Sequence, residues 1–125
     1  MKVLIVDDDN AVLDTFRMSF TTSEKKHIDF ANTSQDAMKL LDTKKYDKVI
    51  CDLRLDSDVD GFQILRKARE CGVKIRVLLT AVSTPIPIEG TSATFAFRKP
   101  CDCINIRTWA LTKDFDAKRI LAATI

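Results

Sequence analysis

The chain lacks any apolar run long enough to span a bilayer, which argues against a membrane-spanning helix. Its first apolar stretch, Val3-Leu4-Ile5-Val6, is too short for a signal-peptide core and runs straight into Asp7-Asp8-Asp9. A cytoplasmic protein with no membrane partner is expected. Glycine is scarce, with only 3 in 125 residues, and none forms a phosphate-binding loop after that first stretch. There is no G-x-x-x-x-G-K segment, so a P-loop NTPase is excluded and a flavin carrier is unsupported. The four cysteines, Cys51, Cys71, Cys101 and Cys103, include no C-x-x-C pair, and the one histidine, His27, is distant from all of them. A zinc site is not expected; reduced, partly buried thiols are. Repeats, low-complexity tracts and linkers are absent, as is a helix-turn-helix signature. No run of basic residues exceeds two, so direct nucleic-acid binding is not expected.

What remains is an ordinary water-compatible balance, 46% hydrophobic and 30% charged, in a length that suits one domain, residues 1–125. The net charge of +2 is unevenly spread: residues 1–60 hold 13 acids and 9 bases, residues 61–125 hold 5 and 11. Compact apolar runs alternate with helical patterns. Val3 to Val6 reads as a strand buried on both faces. Asp9 or Asn10 caps a helix carrying Val12, Leu13, Phe16 and Phe20. A strand near Ile28 to Ala31 follows, then a helix capped by Thr33 or Ser34 with Ala37, Leu40 and Leu41. Lys48 to Cys51 is a third strand. A helix from about Asp60 to Cys71 carries Phe62, Ile64, Leu65 and Ala68, and Gly72 closes it. Ile75 to Leu79 and Phe95 to Arg98 are the fourth and fifth strands. This alternation implies an α/β fold whose sheet is mostly parallel and covered on both faces.

The polar residues just after the strands carry the functional signal. They are Asp7-Asp8 after the first, Asp52 after the third, Thr80 after the fourth and Lys99 after the fifth. Open α/β sheets bind ligands beyond the carboxyl ends of their strands, where strand order reverses. Each residue alone has a plain explanation: helix-start acids, a turn aspartate, a strand-forming threonine, a surface lysine. Together they form a site. Three gathered carboxylates repel by several kcal/mol at an effective dielectric of about 20, so the cluster calls for a cation. A hard ion that keeps waters, uses few carboxylates and accepts phosphate oxygens is Mg²⁺. A carboxylate beside such an ion and a lysine can attack phosphorus and form an aspartyl phosphate.

The motifs Leu4-Ile5-Val6-Asp7-Asp8, Asp52, Asp60-Gly61, Thr80-Ala81 and Lys99-Pro100 resemble those of receiver domains in two-component response regulators, across Met1 to about Asp102. The resemblance implies a flavodoxin-like, doubly wound sheet of five parallel strands in order 2-1-3-4-5, an order for which a chemotaxis receiver is the standard example. It implies Asp52 as phosphoacceptor and Mg²⁺ held by Asp8 directly, Asp7, Asp52 and the main-chain carbonyl of Arg54. Thr80, the amide of Ala81 and Lys99 would bind the phosphoryl group, and Pro100 would follow a cis peptide bond. The phosphodonor would be a sensor histidine kinase or phosphotransfer protein. No enzyme activity beyond the domain's own phosphorylation and dephosphorylation is expected.

Three departures from the family pattern stand out. Asp56 occupies a place where a proline is frequent. Pro85 and Pro87 interrupt a short stretch between Thr80 and Lys99, so the helix between the fourth and fifth strands is expected to be short, displaced or absent. Ala96 stands where an aromatic is usual, and strand alternation puts Phe95 and Phe97 on the other face. Intact phosphorylation chemistry with an unusual output surface is the resulting expectation; the alternative is a pseudo-receiver that binds partners without phosphorylation. Because the sheet begins at Met1, little is expected ahead of it. The output is either an unknown partner or a further domain after Ile125.

Overall fold

In the computed structural model, residues 2–52, 61–80 and 95–98 are described, with 79–80 and 95–98 treated through their backbone. The elements run β1 (Val3–Val6), α1 (Asn10–Met18), α2 (Thr22–Lys25), β2 (Ile28–Ala31), α3 (Ser34–Thr43), β3 (Lys48–Asp52), α4 (Gly61–Glu70), β4 (Ile75–Thr80) and β5 (Phe95–Arg98). The strands form one sheet in order β2-β1-β3-β4-β5, every pairing parallel. This is the order expected from the resemblance.

Each element has a local cause. Every residue of β1 and of β3 is buried, which suits central strands covered on both faces. β2 lies at the edge and is buried only at its two ends. The Asp9 carboxylate accepts the Ala11 amide and starts α1, and the Thr33 hydroxyl accepts the Asp36 amide and starts α3. Helix α4 ends in a paired return: Gly72 N–H donates to Arg69 and Val73 N–H to Ala68, both at 3.0 Å. That pattern needs a left-handed residue after the helix, and Gly72 has φ +87°. The short α2 is the one element the sequence pattern did not anticipate. Thr21 and Glu24 form a reciprocal capping box there.

The core is two-sided. Leu4 and Val6 of β1, Val49 and Cys51 of β3 and Leu78 of β4 pack with Ala37 and Leu41 of α3 and Ile64, Leu65 and Ala68 of α4. The alternate strand residues Val3, Ile5, Ile50 and Val77 are buried on the opposite face. Helix α1 lies on that side, with Leu13 and Phe16 buried and the Arg17 guanidinium 4.9 Å from the centre of the Phe30 ring. Phe20, placed in the helical pattern by spacing, is buried just beyond the helix end. Cys51 is a buried free thiol and Cys71 an exposed one. Among the described residues, no helix is long and apolar enough to cross a membrane. The stretch from 81 to 94, where a short or absent helix is expected, lies outside the described residues.

Candidate functional site

The chain passes from β1 to β2 on one side of β1 and then to β3 on the other, so strand order reverses between β1 and β3. That reversal opens a crevice at their carboxyl ends. β1 and β3 pair in register, Val6 beside Cys51, and both continue into an aspartate, Asp7 and Asp52. Asp8 extends from the turn that follows. Carboxylate oxygens of Asp7, Asp8 and Asp52 lie within 4.8 Å of one another.

Burial differs across the three. Asp7 is fully buried and Asp52 is 8% exposed, whereas Asp8 is open to solvent. Asp7 Oδ1 accepts the Asp9 amide at 2.9 Å, and its buried Oδ2 receives no hydrogen bond among the described residues. Asp9 turns away from the cluster: its Oδ1 accepts the Ala11 amide at 2.9 Å, the helix-capping role expected of it. Each pair of unit charges at this separation repels by roughly 3 kcal/mol at an effective dielectric of 20. Hard carboxylate oxygens, two of them on buried groups and one at the mouth, make a donor set that fits a small divalent cation such as Mg²⁺.

The other expected site residues are placed unequally. Thr80 is the last residue of β4, paired with Arg98 of β5, and its neighbour Leu79 pairs with Asp52. The backbone therefore brings Thr80 to the same sheet edge as the acidic cluster. Ala96 pairs with Leu78, one residue off the register of either phenylalanine. Arg54, Ala81, Lys99 and Pro100, together with Asp56, Pro85 and Pro87, lie outside the described residues.

One contact near the cluster was not legible in the sequence. Asn32, the first residue after β2, donates from Nδ2 to Asn10 Oδ1 at 3.2 Å, tying the turn after β2 to the first residue of α1. Two exposed asparagines 22 residues apart carry no spacing signal of that contact.

A family model described as the response regulator receiver domain matches residues 3–96. The alginate biosynthesis transcriptional regulatory protein AlgB of Pseudomonas putida is 29% identical over 125 residues, which is 97% of this chain and 27% of AlgB. The chain thus spans about a quarter of that curated relative's length. Among solved structures, a two-component response regulator from Clostridium difficile superposes with a TM-score of 0.74 at 23% identity, covering 98% of this chain and 96% of that one. A response regulator protein from Burkholderia pseudomallei, solved with a phosphorylated aspartic acid, a calcium ion and citrate, superposes with a TM-score of 0.72 at 19% identity, covering 98% and 71%. At these identities the structures speak for the fold, and the matched family model speaks for the family. With strand order, acidic cluster and motif order all in agreement, the chain belongs to the response regulator receiver domain family.

Proposed function

We propose that this receiver takes a phosphoryl group onto Asp52 in the presence of Mg²⁺ held by Asp7, Asp8 and Asp52, and signals through protein contacts. The observation that carries this reading is the convergence of three carboxylates within 4.8 Å at the point where strand order reverses. A buried acidic group of this kind is costly unless a cation or a protonation change offsets it. The phosphorylated aspartate and the divalent ion of the Burkholderia pseudomallei protein support the same chemistry on the same fold.

The roles divide by position. A carboxylate oxygen of Asp52 forms the new P–O bond while the donor's P–N bond breaks; the electron pair passes to the donor's imidazole nitrogen, which takes its proton from solvent. At 8% exposure the Asp52 carboxylate is largely shielded from bulk solvent. Asp7, inside, and Asp8, at the mouth, would hold the ion together with Asp52. When bound, Mg²⁺ supplies positive charge against the oxygens of the transferring group. The Thr80 hydroxyl, the Ala81 amide and the Lys99 ammonium would receive the phosphoryl oxygens, and the Arg54 carbonyl would complete the ion's protein ligands. A sensor histidine kinase or phosphotransfer protein is the donor. In this reading the domain catalyses nothing beyond its own phosphorylation and dephosphorylation. The relative's name marks a transcriptional regulator, and this chain matches 27% of its length, which supports output through a further domain or a separate partner.

Incubation with acetyl phosphate and Mg²⁺, followed by mass spectrometry, tests the assignment. Wild type is expected to gain one phosphoryl group and Asp52→Asn none. Equal labelling of both would remove Asp52 from its role. Failure of wild type to label, with partner binding intact, would favour the pseudo-receiver.

A further inference from the structure

Asp8 is the cluster's exposed member, and among the described residues its side chain makes no hydrogen bond or ion pair. Its position is therefore set by the backbone turn that carries it. That turn is held at several points. The Asp7 amide donates to the Ala31 carbonyl at 3.1 Å, at the end of the β1–β2 ladder. The Asp9 amide donates to Asp7 Oδ1. On the far side of Asp8, the Asn10 side chain accepts from Asn32.

These bonds close a ring. It runs along the main chain from Asp7 through Asp8 and Asp9 to Asn10, crosses the side-chain bond to Asn32, steps to Ala31 and returns across the strand ladder to Asp7. Asp8 sits on the main-chain arc of that ring, which the Asp9–Asp7 bond also spans. From this geometry we infer that Asn32 is a positioning residue for the cation site, closing the ring that presents the Asp8 carboxylate to Mg²⁺. The inference rests on the reading of the acidic cluster as an Mg²⁺ site.

The energetic logic is preorganisation. A ligand arm already ordered pays less on binding than one that must be ordered by the ion. Asn32 acts without contributing a ligand, and the Asp9 cap of α1, made with the Ala11 amide, does not involve the Asn32–Asn10 bond. The bond is solvent-exposed and neutral, so its effect is modest: about twofold to fivefold in Mg²⁺ affinity.

Calorimetric titration of Mg²⁺ into wild type, Asn32→Ala, Asn10→Ala and the double variant tests this, alongside the thermal midpoint of each protein without the ion. Both single variants are expected to bind Mg²⁺ about twofold to fivefold more weakly, the double variant no worse than either single, and the metal-free midpoints to stay close to wild type. Unchanged Mg²⁺ affinity in Asn32→Ala, or losses that add in the double variant, overturn the role. So does a lowered metal-free midpoint with unaltered Mg²⁺ affinity, which marks a purely structural bond. Absence of Mg²⁺ binding by wild type itself overturns the cluster's reading and the ring's role together. Binding by wild type with indifferent variants overturns the role of Asn32 alone.

Discussion

Asp7 and Asp52 leave adjacent parallel strands at the same level, each one residue beyond the Val6–Cys51 pair, and both are buried. Two carboxylates so placed, with Asp8 beside them, repel in the absence of a cation. Asn at position 7 keeps an oxygen for the Asp9 amide and removes one of the three charges. Asp7→Asn is therefore expected to be more stable than wild type without Mg²⁺, by about 1–3 kcal/mol, and to lose the extra stability that excess Mg²⁺ confers on wild type. Urea unfolding with EDTA and with Mg²⁺ measures both. Lower metal-free stability in Asp7→Asn would contradict the repulsion argument.

At the opposite end of the sheet, Asp29 of β2 gathers two hydrogen-bond donors and one further ammonium around one oxygen. Its Oδ2 accepts from the Tyr46 hydroxyl at 2.7 Å and from Lys44 Nζ at 3.2 Å, with Lys2 Nζ at 3.7 Å. Burial pushes the Asp29 carboxyl up, but the hydrogen bonds from Tyr46 and Lys44 and the charges of Lys2 and Lys44 outweigh it, and the group sits below its usual 3.8. A depressed carboxyl stabilises the fold above the unfolded value, and this contribution is lost as pH falls through the folded one. Asp29→Asn is expected to cost about 1 kcal/mol near neutral pH, with the deficit shrinking in acid. Urea midpoints of the two proteins across that range check the convergence.

Gly72 allows a cleaner backbone test. A Cβ built there meets nothing within 4 Å, so a substitution is penalised by φ +87° alone. Gly72→Ala is expected to lower stability by about 1 kcal/mol, and Gly72→Asn by less, because asparagine tolerates the left-handed region. Thermal midpoints should rank glycine, asparagine, alanine. If alanine were neutral, the paired return at the end of α4 would not depend on glycine.

Much of this architecture is legible in the sequence for a physical reason. β1 and β3 are central strands of a parallel sheet, and burial on both faces writes an unbroken apolar run such as Val3–Val6. Helices α1, α3 and α4 show their buried stripes at helical spacing, and Asp9, Thr33 and Gly72 mark their ends. The acidic cluster follows from topology, since parallel strands deliver their carboxyl ends to one edge. What escaped lacks a periodic signature. Helix α2 is four residues long with none buried, so only the Thr21–Glu24 spacing announces it. The Asn10–Asn32 and Asp29–Tyr46 contacts join residues far apart in sequence, through side chains that are common on surfaces. Lys48 reads as the polar start of a strand, but the fold buries it.

Lys48 is 1% exposed, the largest fully buried side chain among the described residues. Burial pulls its ammonium from the usual 10.5 down to about 8, against the opposing charge of Asp47. Between those two values the unfolded chain binds more protons than the folded one, so stability rises with pH over that interval. Below about pH 8 the full cost of the buried charge is present. Tyr46 works in the other direction: burial and its bond to Asp29 raise the phenol above its usual 10.0, so its contribution is complete below that value and is lost above it. The expected profile climbs by roughly 2 kcal/mol from neutral pH toward 10 and then turns down. Lys48→Met should flatten the climb and leave the downturn, whereas Tyr46→Phe should remove its share of the downturn and leave the climb. Urea unfolding of the three proteins across this range separates the two groups, and a climb that survives in Lys48→Met would assign it elsewhere.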